Sequence, residues 1–374
     1  DGAQPLDQLE SLLVELLTEL ACGHLRTANQ QIAAGRPMPT ETLFRAMDLL
    51  DKALNIEHLH YRRLTPQRWR LMLSIFLHAE HQGVANAKID AKLRQAGEPD
   101  SIQGLFFRAL IICVCDPHHK LPSEIAAWHR WTTPHTGLLE LSLLPQGSYA
   151  VPVDISGAMT PLASARTARP GTHTRYLAAD AFVQRLQEDE EAPASLRQAL
   201  TDLIKGRRKS EQRQTERQAR NHPYRLIYGL RNIHKRLEEL TLGDEPQTSE
   251  LRAVACRQVN QSRFGAAFQL QGPLTLPLSV GEPLLAEAAG AADDAAPVGF
   301  AARIRRVFSG EQQQIEIGVE KIQGRLIPVT IVGATAEKTR GDTQALIQHD
   351  ADTGRYTLLA SRSIYRKGDT VAAE

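Results

Sequence analysis

Val259-Asn260-Gln261-Ser262-Arg263-Phe264-Gly265 lies between two short apolar segments of alternating character, Leu251 to Val259 and Ala267 to Leu270. That pattern predicts a strand, a tight turn and a second strand. The turn brings an amide, a hydroxyl and a glycine together. Asn260 offers a donor and an acceptor on one side chain, Ser262 a hydroxyl, and Gly265 permits a backbone approach barred to residues with a Cβ.

Outward from this turn the chain continues in short runs at close spacing: Leu226-Ile227-Tyr228 before it, then Leu274 to Leu278, Phe300 to Phe308, Ile315 to Ile322 and Ile327 to Val332 after it. Strands of this length and spacing predict a small antiparallel barrel. Asn232 to Leu240 reads as one short helix inserted after the first strand, and Ala286 to Pro297, with Asp293-Asp294, as a loop. A last pair, Gln344 to Gln348 and Tyr356 to Ala360, followed by Tyr365-Arg366-Lys367-Gly368-Asp369, extends the barrel or packs beside it.

The front of the chain has a different period. Leu6, Leu9, Leu13, Leu16, Leu17 and Leu20, then Leu43, Met47, Leu50 and Leu54, recur at three and four, which predicts helices from Leu6 to about Trp131. Thr65-Pro66 places a capping hydroxyl before a first-turn proline, with Trp69, Leu73, Phe76 and Leu77 as the buried stripe. No fixed repeat length supports a tetratricopeptide-type solenoid. Between about Gly137 and Leu186 the period shortens: Leu139, Leu141 and Leu143, then Tyr149 to Val153, read as strands around a turn at Pro145-Gln146-Gly147. Lys205 to Arg220 is basic, polar and without an apolar stripe, as a linker or an exposed helix is.

The expected organisation is α+β multidomain: an α-helical array over 1–135, a mixed connector over 136–204, the barrel with a basic hinge ahead of it over 205–334, and a β extension over 335–374. At 374 residues the chain is too long for one average domain and suits two or three, each large enough to bury its own core. It opens on Asp1, as a processed chain or a piece of a longer one does. With 44 basic against 43 acidic residues there is no general basic field for nucleic acid, so anion binding has to be local. Four scattered cysteines, Cys22, Cys113, Cys115 and Cys256, fit reduced thiols better than a disulfide framework. No signal peptide precedes the helical start, and the apolar run from Leu105 to Val114 is too short to span a bilayer and contains Arg108. A cytoplasmic chain without a membrane span is expected.

Some forty residues ahead of the turn stands Arg213-Gln214-Thr215-Glu216-Arg217. A guanidinium presents five donors in a planar fork that matches phosphate oxygens and the O6/N7 edge of guanine. Two arginines four apart can take separate phosphates, or a phosphate and a base. Each motif alone also has a plain reading: Lys209, Arg213 and Arg217 fall at i, i+4 and i+8 as on a solvated helix face, and Asn, Ser and Gly are the usual residues of a hairpin turn.

In this order the two motifs resemble the PilZ domain, a bacterial receptor for cyclic di-GMP, whose signature is Arg-x-x-x-Arg ahead of the first strand and (Asp or Asn)-x-Ser-x-x-Gly after the second. The resemblance covers about Arg213 to Val332. Val280 to Leu284 resembles the family's glycine-centred turn into a strand, and Ile315 to Glu320 its penultimate strand. It implies a C-terminal antiparallel PilZ-like β-barrel in which Arg213 and Arg217 grip phosphate and guanine while Asn260, Ser262 and Gly265 contact the other side of the ligand. The interval between the motifs is lengthened by the insert at Asn232 to Leu240, and Gln212 stands where the family often has a further arginine.

Other candidates are weaker. Asp154-Ile155-Ser156-Gly157 imitates half of the signature, but Met159 stands where the glycine belongs, so a strand end with a turn is expected. Cys113 and Cys115 with His118 and His119 lack the paired clusters of a structural zinc site. His24, His58, His60, His78 and His81 read as polar-face or satisfied core residues. Arg303, Arg305 and Arg306 read as a sheet face, the first two on one side and the third opposed. No catalytic triad or phosphate loop has its required context. The expectation is a non-catalytic cyclic di-GMP effector, without metal or cofactor, whose helical region meets a protein partner; the alternative is a degenerate PilZ-type interaction scaffold that binds no nucleotide.

Overall fold

The computed structural model describes residues 3–37, 39–94, 97–167, 171–204, 218–242, 253–272, 274, 278–289, 299–309, 314–332, 343–350, 353–360 and 372–373. The chain divides into two compact units, Pro5–Gln214, and Thr215–Glu374 with Asp1–Gln4.

The first unit opens with α1 (Ala3–Ala33), α2 (Thr40–Leu59), α3 (Pro66–His81), α4 (Ile102–Val114) and α5 (Pro122–Thr132). The Thr65 hydroxyl accepts from the Arg68 amide at 3.3 Å and Ser101 does the same for Gly104 at 3.1 Å, so α3 and α4 begin on side-chain caps. Helix α4 is apolar all round and buried all round, the signature of a central helix. Against it Phe76 stacks on Phe106 with centroids 4.1 Å apart, and Trp69 on Phe106 at 5.3 Å. The only charge on α4, Arg108, is buried and is neutralised by Asp51 and Glu98.

Behind these helices come β1 (Glu140–Ser142), β2 (Ala150–Asp154), α6 (Pro161–Thr167), β3 (Thr174–Ala178), α7 (Asp180–Glu188) and α8 (Ala194–Ile204). The strands form an antiparallel sheet in the order β1-β3-β2. Val151, Val153, Leu177, Phe182, Leu196 and Leu200 join the same apolar cluster as Phe44, Trp69 and Phe106, so the mixed segment shares the helical core.

A polar group is sealed inside this unit. Cys113 Sγ lies 3.6 Å from His58 Nε2, and the His58 ring sits 6.4 Å from that of His118 and 6.2 Å from that of His129. Burial first, then the neighbouring His129 and His118, hold His58 well below the usual imidazole range. Burial and Arg108 bring His129 down to about 3. Asp116 adopts a left-handed backbone, φ 56°. It is secured by His118, His119 and Arg166 at 3.3, 3.2 and 2.8 Å. Burial alone would raise its carboxyl; the histidine hydrogen bonds outweigh it and hold the group far below the ordinary carboxylate range. Among the described residues no group of three or more His, Cys, Asp or Glu is arranged to hold a metal.

The second unit holds β4 (Gln218–Ala219), β5 (Pro223–Tyr228), α9 (Leu230–Leu242), β6 (Ala253–Gln261), β7 (Gly265–Leu270), β8 (Pro283–Ala288), β9 (Gly299–Ser309), β10 (Ile315–Lys321), β11 (Arg325–Val332), β12 (Thr343–Asp350), β13 (Arg355–Leu359) and β14 (Ala372–Ala373). Strands β6-β5-β8-β9-β10-β7 pair in that order and β7 pairs back to β6, which closes a six-stranded antiparallel barrel. Val254, Cys256, Phe268, Leu284, Ile304 and Ile317 are among its buried residues. The inserted segment is a helix, as its pattern predicts. Its Ile233 packs with Ile227 and Leu285 of the barrel and with Leu326 and Leu346 of the sheet β13-β12-β11-β14. A buried ion cluster adds to that seam: Arg236 Nε donates to Glu287 at 2.6 Å, Arg225 reaches the other oxygen at 2.7 Å, and Arg236 reaches Glu239 at 3.2 Å.

Three readings of the sequence change here. Ala286 to Ala288 belong to β8 rather than to a loop, because alanine is a poor strand former but fits a crowded interior: Ala286 is fully buried and its strand is paired on both edges. Residues 290–298 of that expected loop lie outside the described set. Of the strand expected at Leu274 to Leu278, Leu274 and Leu278 carry no strand pairing, and 275–277 lie outside the described set. Of the basic linker, 205–217 lies outside it, while Gln218 and Ala219 form a short strand.

Candidate functional site

The quoted turn joins β6 to β7, and its two ends are fixed differently. Ser262 N donates to Gly265 O at 2.8 Å, and Gly265 N donates back to Ser262 Oγ at 3.2 Å, a reciprocal closure that fits a short polar loop. A Cβ at Gly265 would stand 2.5 Å from the carbonyl oxygen of Val319, so the glycine is required by the closeness of β10 rather than by an unusual backbone angle. Lys321 N donates to Phe264 O at 2.8 Å and pins the far side of the turn to the same strand.

Asn260 is positioned by an irregularity. In β6, Gln258 is opposite Phe268 but Asn260 is opposite Ala267, so Val259 is an extra residue, a β-bulge. Up to Gln258 the even-numbered residues Val254, Cys256 and Gln258 point into the barrel. Without the bulge Asn260 would follow them inward. The extra residue reverses the phase and turns Asn260 to the outer face, beside Ala267 and, across β7, Gly318. Two small residues therefore leave the surface beside the amide low. Among the described residues no hydrogen bond involves the Asn260 side chain.

Strand β4 lies on the other edge of β6, with Ala219 paired to Asn260 and Gln218 to Gln261. Arg220 N donates to Val259 O at 3.1 Å and Gln258 N to His222 O at 2.9 Å, so the approach to β5 hydrogen-bonds directly to the bulge. Arg213 and Arg217 themselves lie outside the described residues. Of the five site residues read from the sequence, the structure brings Asn260, Ser262 and Gly265 into one turn.

The surroundings are basic. Arg220, Arg257 and Arg263 are exposed around the turn, and the Arg263 guanidinium stands 5.2 Å from the half-exposed Phe264 ring. Sequence reasoning passed over these three, although Arg263 lies inside the motif and Arg220 only three residues beyond Arg217. On the neighbouring strands a second bulge corrects the expected faces of Arg303, Arg305 and Arg306. Ile304 is opposite Val319 and Arg306 opposite Gly318, which makes Arg305 the extra residue. The buried side chains are Ile304 and Val307. Arg305 and Arg306 are consequently both on the outside, where Arg305 pairs with Glu320 at 2.5 Å and Arg306 with Glu316 at 3.5 Å.

Chemically this is a surface for an anion with polar edges: guanidinium forks, one amide with donor and acceptor, and a shallow floor of glycine and alanine. No helix among the described residues is long and apolar enough to cross a membrane.

No curated protein matches the chain. Its helical front, residues 3–146, matches the family described as "Cyclic-di-GMP receptor FimW, N-terminal domain", so the region ahead of the barrel is similar to the N-terminal domain of a cyclic di-GMP receptor.

Proposed function

We propose that this chain is a non-catalytic, cytoplasmic effector that binds cyclic di-GMP on the outer face of the barrel, between the Asn260–Gly265 turn and the Arg213–Arg217 segment. The observation that carries the reading is the pairing of Gln218 with Gln261 and of Ala219 with Asn260. Arg217 precedes Gln218 by one peptide bond, which keeps their Cα atoms about 3.8 Å apart. An arginine tethered there needs no long-range rearrangement to share a ligand with Asn260. The match of the front region to the N-terminal domain of a cyclic di-GMP receptor supports the same ligand independently of the turn.

In this reading Arg213 and Arg217 take phosphate and a guanine edge, and Asn260 and Ser262 supply amide and hydroxyl contacts. Gly265 holds the turn against β10, and Arg220, Arg257 and Arg263 add positive potential for a ligand with two phosphates. Output follows if the ligand binds one arrangement of the chain, or of the chain and a protein partner on its helical region, better than another.

Calorimetric titration of cyclic di-GMP into the full chain tests this. The expected result is saturable binding at micromolar ligand or tighter, lost by at least about 100-fold in Arg213→Ala/Arg217→Ala. Absence of heat from the unaltered chain, or unchanged affinity in the double variant, would contradict it.

A further inference from the structure

Helix α1 has two faces of opposite design. Val14, Ala21 and Ala28 are buried against its own unit, Leu25 packs on that core, and the Ser11 and Thr18 hydroxyls accept from Arg62 and Arg68 at 2.6 and 3.3 Å. On the side turned away stand Leu9, Leu12, Leu13, Leu16 and Leu20, exposed by 61, 61, 42, 55 and 48%. Single exposed leucines need no explanation; five on one helical face do.

Leu9, Leu13, Leu16 and Leu20 are spaced four, three and four apart, and Leu6 continues the alternation in the sequence. This is the 3.5-residue period of a helix that packs along another helix. No charged residue interrupts the seam. It is also self-complementary: a two-fold axis midway between Leu13 and Leu16 sets Leu9 of one copy opposite Leu20 of the other and Leu13 opposite Leu16, giving four layers from one surface. Glu15 and Glu19 lie along one flank of the seam, and antiparallel packing opposes the dipoles of the two helices.

We propose that α1 is the interface of a homodimer, formed by two copies packing leucine seam on leucine seam. The leucines alone present roughly 500 Å² per copy, within the range of functional patches. The polar flanks of a helix 31 residues long bring the contact toward the ~800 Å² per partner of a stable dimer. Other occupants fit less well. The longer chain segments outside the described residues, 205–217, 243–252, 290–298, 333–342 and 361–371, carry no apolar helical repeat that could cover five leucines. An anionic lipid surface would repel the glutamates beside the seam.

Sedimentation equilibrium of the full chain up to about 100 µM reads this directly. The expected mass is twice the 41.4 kDa of one chain. In Leu9→Glu/Leu16→Glu the dimer should weaken by more than about 100-fold, because association would bury charges without partners. The variant's thermal melt by circular dichroism should be that of the separated wild-type chain, since both side chains face outward. A wild-type chain that sediments at single-chain mass at 100 µM overturns the proposal, whether or not it binds vesicles or another protein. So does a variant that dimerises as before, or one whose melting falls because the face is covered within its own chain.

Discussion

Two turns in this molecule share an (Asp or Asn)-x-Ser start and have different consequences. Asp154-Ile155-Ser156-Gly157 ends β2 in the helical unit, and Asn260-Gln261-Ser262-Arg263 ends β6 in the barrel. In the first, the Asp154 and Ser156 side chains are used internally: Asp154 Oδ1 accepts from Ser156 N and Oγ at 3.0 and 2.7 Å, and Oδ2 accepts from Met159 N at 2.9 Å. Those hydrogen bonds outweigh a partial burial and hold the carboxyl below its ordinary range. In the second, Ser262 closes the loop with Gly265 while the bulge at Val259 carries the Asn260 amide outward, with no partner among the described residues. A polar turn that satisfies itself is architecture; one that leaves an oriented amide on a small-residue floor is available to a ligand.

The largest effect expected from this contrast is on Arg213→Ala/Arg217→Ala, whose loss of cyclic di-GMP binding is described above. Gly265→Val should follow, destabilising the barrel by about 2 kcal/mol or more because its Cβ meets the Val319 carbonyl, and lowering ligand affinity with it. Denaturant melts and titrations of the same preparation measure both.

The turns can then be set against each other. Asn260→Ala should weaken binding about tenfold and leave unfolding unchanged within about 0.5 kcal/mol. Asp154→Ala should do the reverse, at a cost of about 1–3 kcal/mol from the orphaned amides and hydroxyl of its turn. If Asp154→Ala altered binding, or Asn260→Ala altered stability instead of binding, the distinction would fail.

A further expected effect separates the units by pH. His58 and His129 are held neutral in the folded state, while free imidazoles protonate near 6.5, so the unfolded chain binds more protons below that value. Stability of the helical unit should therefore be full above pH 6.5 and fall as pH drops toward the folded values. The slope should reach about 1.4 kcal/mol per pH unit for each histidine. All three tryptophans, Trp69, Trp128 and Trp131, are in that unit, so urea unfolding followed by tryptophan fluorescence reports on it selectively. His129→Phe should flatten the slope by one proton.

Much of the fold could be read in the sequence because it rests on local chemistry. Thr65 caps a helix, Leu43, Met47, Leu50 and Leu54 keep a helical stripe, and the alternation around Val254, Cys256 and Ile317 marks strands. Asn260, Ser262 and Gly265 were legible for the same reason, since turn residues announce themselves. The two bulges were not. An extra residue at Val259 or Arg305 changes nothing in the local pattern and is fixed by pairing with distant strands, yet it decides which way Asn260, Arg305 and Arg306 point. Ala286 to Ala288 escaped because alanine signals a strand only through the space it must fill.

Amide hydrogen exchange of the full chain with and without saturating cyclic di-GMP tests the site most directly. The expected result is slower exchange at 213–220 and at 259–265, with residues 154–159 unchanged. Exchange that is identical with and without ligand in both of those segments, or protection confined to other parts of the chain, would contradict binding at the β6–β7 turn.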